Sequence, residues 1–261
     1  MYEEPSSPAP THVSAYPGHF LRDFKAQFRR TLFGPVLAFM APVIYLVVLI
    51  LCRMMFGLPE SEDAPVLPFL FSGVSLWLFF SASVSGVYPS VSSNMGILRK
   101  MPVNPLAFAL SSLGMPVLTV ITYLVLLLGM SLFFGVHPSL SWLCLPFFII
   151  FLGGFALGVG LLVCALGIYR RDIIVLLPII LQLGMFVTPI FFSPEIVPAQ
   201  FRWVVAINPV AHSVSMFRNA LFLGQWPDGV SFCVILASTA LVWLIGYPFF
   251  RRTLRYAADT I

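Results

Sequence analysis

Charge is the scarcest property of this 261-residue sequence. Asp, Glu, Lys and Arg together make up 9% of the residues, whereas soluble domains contain about 25%. No charged residue occurs between Met101 and Tyr169, and 59% of the whole chain is hydrophobic. A helix needs roughly 20 apolar residues to cross a bilayer core of about 30 Å, so the chain has room for about six spans and little else. We therefore expect no separate soluble catalytic domain within these residues.

Lysine is nearly absent, since the chain has only Lys25 and Lys100, and neither follows a glycine. The phosphate-binding pattern G-x-x-x-x-G-K-[ST] is therefore excluded. The predicted spans also have no Asp, Glu, Lys or Arg near their middle, where ion-coupled carriers place ionisable residues. If the chain moves a cargo, we expect the energy to come from a separate protein.

Cysteine and histidine are sparse and isolated. No two of the four cysteines form a Cys-x-x-Cys pair, and no pair of the four histidines has metal-ligand spacing. The sequence therefore predicts neither a metal site nor a disulfide framework. The cysteines are Cys52, Cys144, Cys164 and Cys233.

Apolar runs separated by turn residues predict an all-α integral membrane protein with six transmembrane helices. The uncharged stretch after Pro105 is too long for one helix, and GVHPSLS (135–141) divides it into a third and a fourth span. The other spans are predicted at 35–52, about 65–91, Ile173–Phe192 and about Val230–Phe250.

The basic residues are distributed unequally between the two sides of this arrangement. Three of the fourteen, Arg53, Arg202 and Arg218, fall on one side. Because basic residues in short loops mark the cytoplasmic side, an excess on the other side predicts both termini in the cytoplasm and an even number of spans. The eleven residues on that side are Arg22, Lys25, Arg29, Arg30, Arg99, Lys100, Arg170, Arg171, Arg251, Arg252 and Arg255.

The six-span domain is predicted at 34–250, and the flanking segments differ from it. Residues 1–18 are acidic and rich in Pro and Ser, which predicts a disordered cytoplasmic tail. In 19–33 the aromatic residues recur every fourth position away from the basic ones, which predicts an amphipathic helix in the membrane interface. An ordinary basic flank before the first span is the alternative. Residues 251–261 are predicted to be a second cytoplasmic tail.

The segment 193–228 is too polar to cross the membrane and too apolar for a free loop. Pro198 fits the start of a helix, Asn208 a break, and Pro209 a second start. We therefore predict two short re-entrant helices before the last span. Irregular backbone at that depth is tolerated where it is buried in protein or faces water, so we expect a transport pathway nearby.

The turn YRRDI between the fourth and fifth predicted spans carries charges of both signs. Orientation in the membrane requires only the cations Arg170 and Arg171, whereas Asp172 adds a negative charge. Exposed charges of mixed sign can set the register of a protein partner. Two interpretations stay open, a loop that only orients the helices and a docking surface for a cytosolic protein.

Glycines and aromatic residues within the spans have alternative interpretations. Gly154 and Gly158 lie four residues apart on one helix face, which permits close helix packing, either within the subunit or across a dimer contact. Aromatic rings within the spans face lipid, pack internally, or line a path where a sugar ring can slide. The candidates for lining a path are Tyr45, Trp77, Phe80 and Phe186.

Three ordered motifs, YRRDI (169–173), QLGMFVTPIFFSPEIVP (182–198) and INPVAHSVSMFRNALF (207–222), resemble the C-terminal signature of one membrane family. These are the type-two ABC exporter permeases that move polysaccharides, as in O-antigen, capsule and teichoic acid export. The resemblance covers nearly the whole chain. It implies a homodimeric permease in the cytoplasmic (inner) membrane of a bacterium, surrounded by membrane lipids, with a lipid-linked polysaccharide as cargo.

The resemblance also implies a separate ABC ATPase partner that binds ATP and Mg²⁺, while this chain holds no cofactor, no metal and no nucleic acid. Segment 92–105, with Arg99 and Lys100, resembles the main coupling helix on the ATPase. Segment 168–172 resembles the second contact, through Tyr169, Arg170, Arg171 and Asp172. Segment 193–228 resembles the extracytoplasmic gate, with the gate residues Glu195, Pro198, Arg202, Asn208, Pro209 and Arg218.

Two other functions stay open. A permease of the same fold for a drug or lipid differs from the polysaccharide permeases only in this signature. A membrane-embedded glycan transferase needs acidic residues or His converging at one membrane face. Asp172 is predicted on the opposite side from Glu195 and Asp228, which disfavours the transferase.

Overall fold

The computed structural model describes residues 65–100, 104–192 and 197–260, together with positions 40, 43, 44, 47, 48, 50 and 51. All regular structure within these residues is helical. The predicted tail 1–18, the predicted interfacial helix 19–33, Tyr45 and Glu195 lie outside the described residues. The elements are α1 (Val66–Ser93), α2 (Met95–Lys100), α3 (Pro105–Ser111), α4 (Gly114–Phe133), α5 (Leu145–Tyr169), α6 (Asp172–Val187), α7 (Arg202–Ile207), α8 (Pro209–Phe222) and α9 (Gly229–Thr260), with 3₁₀ turns at Leu140–Cys144 and Ala199–Phe201.

Four segments of the described chain are long and apolar enough to cross a membrane. They correspond to the second, third, fourth and sixth predicted spans, and the apolar helix α6 corresponds to the fifth. The first predicted span falls where only a few helical positions are described, so the count of six stays a prediction. The four segments are Val66–Ser93, Pro105–Phe133, Leu140–Tyr169 and Gly229–Tyr256.

Helix α5 is the centre of the bundle and packs against α1, α9, α8 and α6. A Cβ atom on Gly158 would lie 3.0 Å from Val242 and 3.0 Å from Trp243, both on α9. On the facing side, a Cβ on Gly246 would lie 3.0 Å from the carbonyl oxygen of Gly158. Small residues thus let the backbones of α5 and α9 approach closely. For Gly158, the predicted packing within the subunit is confirmed.

Two hydrophobic cores divide the bundle along its length. The larger one holds Trp77, Phe80 and Phe217, and joins α1, α4, α5, α6 and α8. The second one holds Phe108 and Phe250, and joins the C-terminal part of α1 to α3, α5 and α9. Because α1 contributes to both cores, it runs from one end of the bundle to the other.

Two helix ends differ from their predicted positions. Helix α6 ends at Val187 rather than Phe192, because Thr188 is extended (φ −85°, ψ 139°) and precedes Pro189, and the residue before a proline disfavours the helical region. Its 16 residues span about 24 Å, less than the hydrocarbon core of about 30 Å. Helix α9 continues through the predicted tail to Thr260, since Phe250 and Leu254 are buried in the second core.

Candidate coupling surface and gate

Helix α2 is joined to the end of α1 by Asn94. Asn94 donates from its backbone N–H to the carbonyl of Val91 at 3.2 Å, and from Nδ2 to the carbonyl of Ser90 at 2.8 Å. The carbonyl of Asn94 accepts from the backbone N–H of Ile97 at 3.0 Å. The orientation of α2 relative to α1 is therefore fixed by backbone hydrogen bonds. The coupling candidates Arg99 and Lys100 are the last two residues of α2, and their side chains lie outside the described part of the chain.

The turn between α5 and α6 presents charged side chains to solvent. Arg170 ends α5 in an extended conformation, and its N–H donates to the carbonyl of Leu166 at 2.8 Å. Asp172 begins α6, where a carboxylate is favoured by the helix dipole. Arg170, Arg171 and Asp172 are all exposed, and none forms an ion pair with another described residue. The turn can therefore offer its charges to a partner, and the docking role stays a prediction.

Tyr169 connects this turn to the C-terminal part of α9. Its ring stacks on Phe249, with centroids 6.1 Å apart, and lies 6.4 Å from the ring of Tyr256. Ile97 of α2, Ile168 of α5 and Phe249 of α9 all pack against the second core. We call α2, the turn 169–172 and residues 251–260 of α9 the basic end of the bundle.

At the other end, Asn208 fixes the start of α8. Its Oδ1 accepts from the N–H groups of Val210 at 3.0 Å and Ala211 at 3.4 Å, which satisfies donors that a helix N-terminus leaves free. Pro209 occupies the first helical position, where it needs no hydrogen bond. The Nδ2 of Asn208 donates to Thr188 Oγ1 at 3.0 Å, so the same side chain also holds α8 to the end of α6.

The C-terminus of α8 is held by the 3₁₀ turn before α5. Ser141 Oγ donates to the carbonyl of Ala220 at 2.6 Å, and Trp142 Nε1 donates to that of Leu221 at 3.0 Å. The chain then turns at Gly224, whose φ of 66° favours glycine. We call α7, α8, the turn Leu140–Cys144 and residues 188–192 the gate end.

Arg218 is the centre of the gate end, and it is 5% exposed. Its Nη1 donates to the carbonyl of Pro189 at 3.0 Å, and its Nη2 donates to those of Ile190 at 2.6 Å and Phe69 at 3.0 Å. Its Nε donates to Ser72 Oγ at 3.3 Å, and the guanidinium carbon lies 3.6 Å from the centroid of the Phe69 ring. A buried arginine stays charged, so carbonyl dipoles and an aromatic face compensate its charge here.

The absence of a side chain at Gly73 makes room for this guanidinium. A Cβ at position 73 would collide with Arg218 Nη2 and would lie 2.9 Å from the carbonyl oxygen of Ile190. Arg218 therefore joins three elements, which are α8, the first turns of α1 and the segment after α6.

Residues 19–222 match the family model described as ABC-2 type transporter. The chain belongs to this family. The matched region includes the whole gate end and stops at Phe222, the last residue of α8.

Relatives of this ABC-2 type chain cover most of its length at low identity. It is 22% identical over 233 residues to the O-antigen export system permease protein RfbA of Klebsiella pneumoniae, covering 88% of each chain. It is 24% identical over 244 residues to the protein of the same name from Myxococcus xanthus, covering 90% of this chain and 91% of the relative. It is 24% identical over 237 residues to the polysialic acid transport protein KpsM of Escherichia coli, covering 89% and 90%.

The other gate residues predicted for this ABC-2 type chain are less connected than Arg218. Pro198 precedes the 3₁₀ turn Ala199–Phe201, as its predicted position at a helix start requires. Arg202 begins α7 and is exposed, and its Nε donates to the carbonyl of Val197 at 3.2 Å. The structure thus brings Asn208, Pro209 and Arg218 together on α8, and the gating role of all these residues stays a prediction.

The path-lining candidates differ in exposure. Trp77 and Phe80 are 5% and 6% exposed, and Phe80 stacks on Phe155 at 5.9 Å. In this arrangement neither ring has an open face for a cargo, because the large apolar area of an aromatic ring favours core packing over exposure. Phe186 is 60% exposed, and its open face is compatible with the predicted role.

Several residues of the gate end were not found by sequence reasoning. His212 lies with Nδ1 2.9 Å from Ser231 Oγ and Nε2 2.9 Å from the carbonyl oxygen of Ala206, so it joins α8 to α7 and α9. Ser141 and Trp142 hold α8 from a position 79 residues earlier in the chain. Their partners are backbone carbonyls, which leave no pattern in a single sequence. Arg218, by contrast, was a candidate through its place in the motif 207–222, but the sequence did not indicate its carbonyl partners.

Proposed function

We propose that this ABC-2 type chain is the permease subunit of an ATP-driven exporter that moves a lipid-linked polysaccharide, O-antigen-like or capsular, across the cytoplasmic membrane of a bacterium. One observation carries the proposal. The relatives that align over 88–91% of both chains are named as export or transport proteins for O-antigen and polysialic acid. These names favour a polysaccharide over a drug or a lipid as the cargo.

The energy source in this proposal is a separate ABC ATPase that binds ATP and Mg²⁺. The absence of a phosphate-binding loop in this sequence supports a partner. The match of residues 19–222 to a membrane family supports it too, and of the 39 residues that follow the match, residues 229–260 form one helix.

The basic end is the proposed contact with this ATPase. Helix α2 supplies Arg99 and Lys100, and the turn supplies Tyr169 to Asp172, as the sequence predicts. The exposed charges at the turn have no ion-pair partners among the described residues, so they are available to pair with an acidic surface. Two copies of the chain would form the exporter, with the polymer path between them, the termini in the cytoplasm and the re-entrant gate helices on the outer side.

Charge reversal at α2 tests this proposal. In cells that depend on the exporter, we expect Arg99→Glu combined with Lys100→Glu to abolish copurification of the ATPase and the appearance of polymer at the cell surface. Reversal places like charges against the acidic partner surface, which opposes binding. The matched control is Arg202→Glu, an exposed arginine at the gate end, which should retain ATPase binding. Normal ATPase binding together with normal export in the double variant would contradict the proposal.

A further inference from the structure

The arrangement of α1 between the two ends of the bundle has a mechanical consequence. We propose that Arg218 is a positioning residue that latches the gate helix α8 to α1, so that displacement of α2 by the ATPase is transmitted along α1 to the gate. This inference rests on the proposed function, because it assumes that the basic end receives the work of an ATPase.

Helix α1 is continuous from the gate end to α2. Its 28 residues form one helix of about 42 Å, longer than the hydrocarbon core of about 30 Å. Its gate-end turns carry Phe69, Ser72 and Gly73, which all contact Arg218. Its opposite end is bonded through Asn94 directly to α2. One helix therefore contacts both the proposed coupling helix and the buried arginine of the gate end.

Helix α1 is stiff because it is packed on several sides. Fifteen of its residues are buried, including Val74, Leu76 and Val84, and it packs against α4, α5, α6 and α8. Close-packed interiors have low compressibility and move as units rather than deforming continuously. Pro89 interrupts the backbone hydrogen bonding, but it lies in the last two turns, next to α2. The missing bond leaves the carbonyl of Ser85 without its helical donor, and the length between Phe69 and Val84 is uninterrupted.

The latch consists of the hydrogen bonds that the guanidinium of Arg218 makes from α8. The guanidinium of Arg218 makes four hydrogen bonds, two to α1 and two to the segment after α6, and the planar fork of arginine is what allows one side chain on α8 to reach both. Because the site is buried, breaking any of these bonds leaves a carbonyl or a donor without a partner. Helix α8 therefore follows α1, and the segment Pro189–Ile190 follows with it.

The resulting role differs from direct contact with the cargo. Arg218 is 5% exposed and its donors are directed at backbone carbonyls and a serine, so it acts through α1 and α8 rather than on the polymer. The latch predicts a specific defect. When it is loosened, the ATPase still binds and hydrolyses ATP, while the gate no longer responds.

The experiment uses the full complex of permease and ATPase in proteoliposomes and in cells. Arg218→Lys keeps the positive charge but loses the fork. Coupling between distant sites usually amounts to about 5- to 150-fold, so we expect export to fall by roughly tenfold while ATP hydrolysis stays within about twofold of wild type. A cysteine introduced at the exposed Trp203 of α7 reports the gate, through its rate of labelling by an impermeant maleimide with and without ATP. The ATP-dependent change in labelling should disappear in the lysine variant.

A milder pair of variants keeps the test decisive if Arg218→Lys does not accumulate in the membrane. Ser72→Ala removes one acceptor of the latch, whereas Ser83→Ala removes a hydroxyl from an equally buried serine of the same helix whose Oγ has no hydrogen-bond partner. We expect export to fall about two- to fivefold in Ser72→Ala and to stay unchanged in Ser83→Ala.

Three results would overturn the latch. They are wild-type export in Arg218→Lys, a parallel loss of ATP hydrolysis and export in an assembled Arg218→Lys complex, and equal effects of Ser72→Ala and Ser83→Ala. A separate result, measured on the wild-type complex, tests the proposed polysaccharide cargo. If the wild-type complex hydrolyses ATP but exports no polysaccharide, the proposed function fails, and the response of the Trp203→Cys label to ATP still decides whether the latch exists.

Discussion

Arg218 at the gate end and the arginines of the turn 169–172 at the basic end occupy opposite environments. At the gate end, Arg218 is 5% exposed and makes four hydrogen bonds, three of them to backbone carbonyls. At the basic end, Arg170 and Arg171 are exposed and form no ion pair with any described residue. A buried charge is tolerated only when it is fully bonded, whereas an exposed charge contributes little to stability and is free for recognition. The same residue type therefore holds the fold together at one end and faces outward at the other.

The two ends also differ in the interaction that connects their helices. Side-chain hydrogen bonds hold α8 at the gate end, from Ser141, Trp142 and Arg218 to backbone carbonyls and from Asn208 to the hydroxyl of Thr188. Apolar packing around Phe250 and the stacked ring of Tyr169 joins the helices at the basic end. Hydrogen bonds are directional and apolar contacts are not, so α8 is fixed in orientation more strictly than α5 and α9 are where they meet at the basic end.

The largest expected effect comes from removing the buried charge. Arg218→Met leaves the carbonyls of Pro189 and Ile190 without this donor and removes one donor from the carbonyl of Phe69, which keeps the hydroxyl of Ser72. We expect a loss of about 3 kcal/mol or more in the free energy of unfolding. Denaturation in detergent micelles, followed by circular dichroism, measures it. Arg202→Met is the control, because that arginine is exposed and makes one hydrogen bond, and it should change stability by less than about 0.5 kcal/mol. Equal stability of the two variants would remove the contrast between the ends.

An intermediate effect is expected from filling the space beside the guanidinium. Gly73→Ala places a Cβ against Arg218 Nη2 and Ile190, so overpacking should cost about 1–3 kcal/mol. Gly129→Ala is the matched control, since this mid-helix glycine of α4 has no atom within 4 Å of its added Cβ. Alanine there should stabilise the helix by about 0.5–1 kcal/mol. The same denaturation measurement compares both, and a tolerated Gly73→Ala would show that the gate end can relax.

The smallest effect on stability is expected at the basic end. Arg170→Gln combined with Arg171→Gln removes two exposed charges without breaking a side-chain contact, so the free energy of unfolding should change by less than about 0.5 kcal/mol. Copurification of the ATPase should nevertheless decrease, and pull-down from membranes measures this. A destabilised variant with normal ATPase binding would reverse the roles assigned to the two ends.

Much of the helix pattern was readable from the sequence. Within the described residues, the break at GVHPSLS, the second, third, fourth and sixth predicted spans and the two helix starts at Pro198 and Pro209 appear near their predicted positions, because proline, glycine and charge act locally. The ends of α6 and α9 were less predictable. Helix α9 extends to Thr260 because Leu254 finds a buried place in the second core, and that place depends on α3 and α5.

Some residues of the candidate site were predictable from the sequence and others were not. Asn208 and Pro209 were predicted from a local break, and the structure gives them a cap and a first helical position. Trp77 and Phe80 were candidates for lining a path because they are aromatic, and the structure buries them in the larger core. A ring in an apolar span has the same sequence signal whether it faces a path, a lipid or another helix.

By itself, the sequence determined that this is a helical membrane protein without its own phosphate-binding loop, and its ordered motifs resemble those of polysaccharide permeases. These properties follow from composition and short-range pattern, since the bilayer sets the length of each apolar run. Only the tertiary structure decided which charge is bonded and which is free. Arg218, Gly73 and Ile190 are distant in sequence, and their contact exists because α1, α6 and α8 pack together. The free energy of a buried charge depends on partners that folding alone brings within hydrogen-bonding distance.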